Sequence, residues 1–163
     1  MTIYDELHSD HLKLIGLIDE LLDMPDRGDE DYRTNLIRDI EVEVVLHVRA
    51  EEKLLFDSMR SQKNPAYMNL LQRALKQHRE VEQMLYALRE KNKQDEENSS
   101  AVWRSAAEDF RDALVHHISH EELKLIPVAR KAFTARENIQ MGTDFLELKN
   151  EMRVQGIPTL RYA

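Results

Sequence analysis

The amino-acid sequence predicts an all-α protein: an up-down-up-down four-helix bundle followed by a short C-terminal helical extension. Three observations carry that prediction. Apolar residues recur at helical spacing in four long segments. Gly and Pro number only four each, too few for the many turns of an all-β or α/β chain. Short stretches with turn or cap chemistry separate the segments. The length of 163 residues fits one domain with room for a core. The bundle is assigned to residues 1–135 and the extension to 136–163.

The first helix is expected over residues 3 to 23. Leu7, Leu14, Ile18 and Leu21 form its stripe, and His11 falls on it. Pro25 and Gly28 punctuate the following turn. The second helix runs from about Glu30 to Arg60, with Leu36, Ile40, Val44, Leu54 and Met59 as its apolar positions. His47 lies seven residues after Ile40 and Glu51 seven after Val44. Both therefore face the core, where a charged side chain needs a reason. Glu41, Glu43, Arg49 and Lys53 fit a solvated face. Asn64-Pro65 reads as cap and first residue of a third helix that runs to about Lys91. Leu71, Leu75 and Leu85 mark its stripe, with His78 and Glu82 inside it. Residues 91–98 read as a polar loop, and Ser99 or Ser100 as the cap of the fourth helix. That helix carries Trp103, Ala106, Phe110, Ala113 and Leu114 on one face, then His117 and Glu121 in the same phase. It should kink at Pro127 or end near it. In the extension, Phe145, Leu146, Leu148 and Met152 mark a short helix from about Thr143 to Arg153. The remaining tail is expected to be irregular, along the bundle or in a partner's groove.

Composition removes several function classes. The formal net charge of −8 argues against a nonspecific nucleic-acid role. There is no cysteine, so disulfides, thiolate metal sites and a cysteine nucleophile are excluded. No apolar run approaches the roughly 18 residues of a membrane span, and the acidic N-terminus lacks a signal-peptide pattern. The expectation is a cytoplasmic protein with no membrane and no nucleic-acid partner.

The histidines carry the functional information. His47 and Glu51 are four residues apart, as are His117 and Glu121. Four residues of α-helix turn about 400°, so each pair sits on one face. One such pair is ordinarily a solvated i,i+4 contact. Here two pairs lie on apolar stripes, and two more stripe histidines, His11 and His78, lie on the other two helices. Short-looped antiparallel helices bring mid-helix residues to similar heights. Four imidazoles and two carboxylates suit first-row metals better than calcium or magnesium. Glu51 and Glu121 could each bridge two ions, whose charge would offset their own. Six protein ligands leave open positions for a small molecule. His116, five residues before Glu121, is the rival of His117, and the stripe phase favours His117. His8 is expected near the helix entrance and His120 packed nearby. Glu82 is expected to hydrogen-bond a ligand imidazole. Glu52 and Glu122 are expected at the surface or just outside the ligands. Trp103, Phe110, Phe56 and Tyr86 are expected in the core.

The segments Asp10-His11, His47-Val48-Arg49-Ala50-Glu51-Glu52, Gln77-His78 and His117-Ile118-Ser119-His120-Glu121-Glu122 resemble the hemerythrin-like, HHE cation-binding family. The resemblance covers roughly residues 5 to 130. It implies an up-and-down bundle holding two non-haem iron ions, bridged by carboxylates and by an oxo or hydroxo group. It assigns His11, His47, Glu51, His78, His117 and Glu121 as ligands, with the two glutamates bridging. Oxygen-carrying members have a further histidine one turn before the third-helix ligand; that position here is Ala74. The ligand set is closer to that of iron-centre repair proteins and other bacterial members. The implied role is to bind or react with dioxygen, nitric oxide or peroxide, as a sensor, stress-response or iron-handling protein. Peroxide- or nitric-oxide-consuming enzyme activity is compatible with it. The alternative is a structural or regulatory interaction module, with zinc or manganese in the site and no redox turnover. A homodimer through the tail is compatible with either.

Overall fold

The computed structural model describes residues 1–98 and 101–162, and of 95–98 the backbone alone. Among the described residues there are five helices and no strand. Helix α1 spans Ile3–Leu22. Thr2 caps it: its hydroxyl accepts from the Asp5 N–H, and the Asp5 carboxylate accepts from the Thr2 N–H. A cap of this kind contributes about 1 kcal/mol. Helix α2 covers residues 30–61, capped by Asp29, and α3 covers Pro65–Asn98 behind Asn64. Helix α4 covers residues 102–132, and α5 covers Ala135–Gln155.

Helices α2 and α4 share an irregularity. Each passes through a π-helical turn, Glu52–Phe56 in α2 and Glu121–Leu125 in α4. The Asp57 N–H reaches back to the Glu52 carbonyl, and the Ile126 N–H to that of Glu121. In both cases the widened turn begins at the glutamate of a His-x-x-x-Glu pair or one residue after it. Such turns change the direction of the following face and recur at functional sites. In α4 the widened turn adjoins Pro127, which has no N–H to donate. The helix therefore runs on to Ala132 instead of ending at the proline.

Two sequence expectations are corrected. Residues 91–98 are helical, not a loop. Their Lys, Gln and Glu residues are good helix formers, and buried Asn92 anchors them: its carbonyl accepts from Arg33 Nε at 2.7 Å, and its amide donates to Thr34 Oγ1 at 2.9 Å. The extension helix begins at Ala135, not 143, because Thr134 and Glu137 form a second capping box. The expected caps Ser99 and Ser100 lie outside the described residues.

The core has two apolar clusters with a polar layer between them. One holds Leu14, Ile18, Val44, Val81, Phe110 and Leu114. The other holds Leu7, Leu55, Phe56, Leu71, Ala74, Leu125 and Phe145. His11 lies between Leu7 and Leu14, His78 between Ala74 and Val81, and His117 and Glu121 between Leu114 and Leu125. A buried Leu contributes about 1.5–3 kcal/mol, so stability alone would not place histidine and glutamate there. Helix α5 packs on α1 and α2. At Gly142 a Cβ would stand 2.5 Å from the Met1 carbonyl oxygen, so the close approach of α5 to the start of α1 needs glycine. Beyond Gly156 the tail lies along the bundle. Leu160 is buried in the first cluster, and the Tyr162 ring stacks on Tyr86 at 4.1 Å.

Candidate metal centre

The polar layer consists of His11 on α1, His47 and Glu51 on α2, His78 on α3, and His117 and Glu121 on α4. All six predicted residues converge there, and none is more than 2% exposed. One ligand atom each from His47, Glu51, His117 and Glu121 lies within 4.8 Å of the others. The two remaining imidazoles flank that group. His11 Nε2 is 3.4 Å from Glu121, and His78 Nε2 is 3.1 Å from Glu51. His117 Nε2 is 3.0 Å from Glu121 and 3.2 Å from His78 Nε2. The rings pair as His11 with His47, centroids 5.0 Å apart, and His78 with His117, centroids 4.5 Å apart.

Every imidazole is held from behind through Nδ1. Glu122 accepts from His11 at 2.8 Å, Asp10 from His47 at 3.1 Å, Glu52 from His78 at 2.9 Å, and Gln77 from His117 at 3.2 Å. The arrangement is cyclic. Helix α1 orients the histidine of α2, α2 that of α3, α3 that of α4, and α4 that of α1. With Nδ1 protonated and occupied, Nε2 presents its lone pair inward. Yet Nε2 of His11 and His47 and all four oxygens of Glu51 and Glu121 are buried without hydrogen-bond geometry to any described partner. Buried polar atoms are ordinarily satisfied. Six orphaned donor atoms facing one another, all of types that ligate first-row metals, fit a metal site.

The electrostatics agree. Burial pushes the Glu51 carboxyl up, and the adjacent Glu121 charge adds to that, to about 8. Burial acts on Glu121 in the same sense, but His11 and then His117 outweigh it and hold it down. Burial also works against charge on His78, yet the Glu51 carboxyl 3.1 Å away and the hydrogen bond to Glu52 raise it to about 9. Burial, then the His78 charge, pushes His117 down to about 4. Two buried carboxyls this close raise the proton affinity of Glu51, and a bound cation would offset the same repulsion.

Other expectations resolve as follows. His116 is exposed, while His117 faces inward. His8 is exposed and reaches Glu122 at 3.0 Å. His120 is half-buried, and its Nδ1 has no partner among the described residues. Phe56 stacks on His78 at 5.3 Å, whereas Trp103 and Phe110 belong to the other cluster. Glu82 holds no imidazole. It is fully buried and paired with Arg49 and Arg161, so Arg49 is half-buried instead of solvated. Tyr86 is half-buried and faces the tail. Sequence reasoning missed the orienting roles of Asp10 and Gln77. Their signal was position: each directly precedes a stripe histidine, as Glu52 and Glu122 directly follow a stripe glutamate.

The model of the hemerythrin HHE cation binding domain matches residues 2–129. That is most of the chain, and the chain belongs to this family. No curated protein and no solved structure matches it. No helix among the described residues is long and apolar enough to cross a membrane.

Proposed function

We propose that this hemerythrin HHE chain holds two non-haem iron ions and binds or reacts with dioxygen, nitric oxide or peroxide, as a sensor, stress-response or iron-handling protein. The ligands in this reading are His11, His47, Glu51, His78, His117 and Glu121, with Glu51 and Glu121 bridging. The observation that carries it is the cyclic one. Four Nδ1 atoms are committed outward, and four Nε2 atoms are turned toward two carboxylates that have no other buried partner. An iron pair supplies the electrons and open coordination positions that such small molecules need.

The chain's own contribution is geometry, dryness and proton placement. The Gln77 amide oxygen cannot be protonated, so it fixes the proton of His117 on Nδ1. Asp10, Glu52 and Glu122 do the same for the other three rings and make them better donors. Leu7, Phe56 and Ala74 on one side, with Val44, Val81 and Leu114 on the other, keep water from the carboxylates. A bound cation would compete with the proton that burial and the Glu121 charge favour on Glu51. The zinc or manganese alternative uses the same ligands and differs in lacking redox turnover.

The deciding experiment is metal content with the ultraviolet–visible spectrum, on protein reduced without oxygen and then exposed to air. Two irons per chain and new ferric charge-transfer bands on exposure are expected. No iron and no spectral change after reconstitution would overturn the redox reading. Zinc or manganese at two per chain would establish the alternative.

A further inference from the structure

The family match ends at residue 129, yet two cations from beyond it reach the outer acids of the centre. Lys149, buried on α5, donates from Nζ to both oxygens of Asp10 at 2.7 and 2.6 Å. Asp10 in turn accepts from His47 Nδ1. Arg161, in the tail, donates from Nη1 and Nη2 to the two oxygens of Glu52 at 3.1 and 2.8 Å. Glu52 accepts from His78 Nδ1. The same guanidinium and its backbone N–H donate to buried Glu82, which Arg49 holds from the other side.

A carboxylate bound only to an imidazole can still swing about its terminal torsion. A two-point contact from a guanidinium fixes its plane as well as its place. A lysine clasped between both oxygens of an aspartate acts alike. Each cation is thus two hydrogen bonds from an Nε2 in the polar layer. Both act on acids of α1 and α2, the helices on which α5 packs.

We propose that Lys149 and Arg161 are positioning residues of the metal centre, and that the C-terminal extension belongs to it: they hold Asp10 and Glu52 so that His47 and His78 present Nε2 to the metal. The inference rests on the metal-binding reading above. It makes residues far outside the matched segment set metal affinity.

The test is a double-mutant cycle read by metal affinity. Zinc, as a redox-silent probe, and ferrous iron without oxygen are titrated against a competing chelator. Arg161→Ala should weaken metal binding by about 10–100-fold, the usual loss for a residue behind a ligand. In a Glu52→Ala background the same change should cost less than about twofold, because its route is gone. Arg161→Lys, which keeps the charge but not the two-point contact, should restore part of the loss. The Lys149→Met and Asp10→Asn cycle should behave likewise. Circular dichroism of the metal-free variants separates misfolding from weakened binding. If Arg161→Ala does not fold, Arg161→Lys and the Lys149 cycle carry the comparison. Wild-type affinity in Arg161→Ala overturns the proposal. So does an undiminished loss in the Glu52→Ala background, which would place the role of Arg161 at Glu82 and in tail docking. In both cases the metal reading survives. A wild-type protein that takes up neither metal overturns both.

Discussion

On α2, His47 donates its Nδ1 proton to Asp10, and Asp10 is clasped by Lys149 of α5. On α4, His117 donates the equivalent proton to the neutral amide oxygen of Gln77. The two His-x-x-x-Glu pairs are otherwise built alike, each with a π-helical turn beside its glutamate and each facing inward. The comparison separates two tasks of the outer partner. An amide oxygen is enough to fix a ring and its tautomer. A carboxylate adds charge, which makes the imidazole a stronger donor, but a buried carboxylate then needs a cation of its own. On the α1–α2 side the extension supplies that cation. The third acid, Glu122, has the exposed His8 beside it. The two halves therefore offer unequal fields to whatever they bind.

The largest effect tests what the halves share. Metal at a thousand times its Kd should raise wild-type unfolding stability by about 4 kcal/mol. Glu51→Ala and Glu121→Ala should each abolish binding of at least one ion and lose most of that gain. Full two-metal occupancy in either variant, by elemental analysis, would break the ligand assignment.

The next effect tests what they do not share. In metal-free protein, Asp10→Ala leaves Lys149 as a buried, unpaired cation, a loss of about 3–5 kcal/mol. Gln77→Ala leaves only a neutral Nδ1–H without an acceptor, a loss of about 1–3 kcal/mol. Denaturant unfolding measures both. Equal losses would mean that the Asp10–Lys149 contact adds nothing, and the asymmetry between halves would fall with it.

Gly142→Ala probes how α5 reaches Asp10. The added Cβ would collide with the backbone of Met1 to Ile3, and relief of that collision should cost about 1–3 kcal/mol. Lifting α5 should also loosen Lys149 from Asp10 more than it disturbs Gln77. Backbone hydrogen exchange would show this as faster exchange in α1 than in α3.

The smallest effect is in acid. Burial opposes the charge of Glu52, but hydrogen bonds from His78 and Arg161 hold it down to about 2. Its unfolded value is about 4.3, so the folded value is the lower one. The stability it contributes is present above about pH 4.3 and is lost as pH falls toward 2. Glu52→Gln should flatten that limb of the stability–pH curve. An unchanged limb would show that Glu52 is not held by its partners.

Much of this was legible in the sequence. Helix type and phase are local properties, so a 3.6-residue period placed His11, His47, Glu51, His78, His117 and Glu121 on inward stripes, and phase together with the four-residue spacing of the first pair separated His117 from His116. Where local signals are weak, the reading failed. The polar end of α3 shows no period because Asn92 anchors it with side-chain hydrogen bonds, not with an apolar face. The first two turns of α5 depend on a capping box, Thr134 with Glu137, that apolar spacing does not register.

The sequence by itself determined an all-α chain and the six inward-facing donors, because each rests on spacing within one helix, and four of its segments together resembled the family. Only the tertiary structure decided which residue stands behind each imidazole, because every such partner comes from a different helix. It alone turned Glu82 from an imidazole's partner into the anchor of Arg49 and Arg161. It alone brought Lys149 to Asp10 and Arg161 to Glu52, across separations of 139 and 109 residues. Contacts at that range leave no periodic trace in a single sequence; they exist only once the helices have packed.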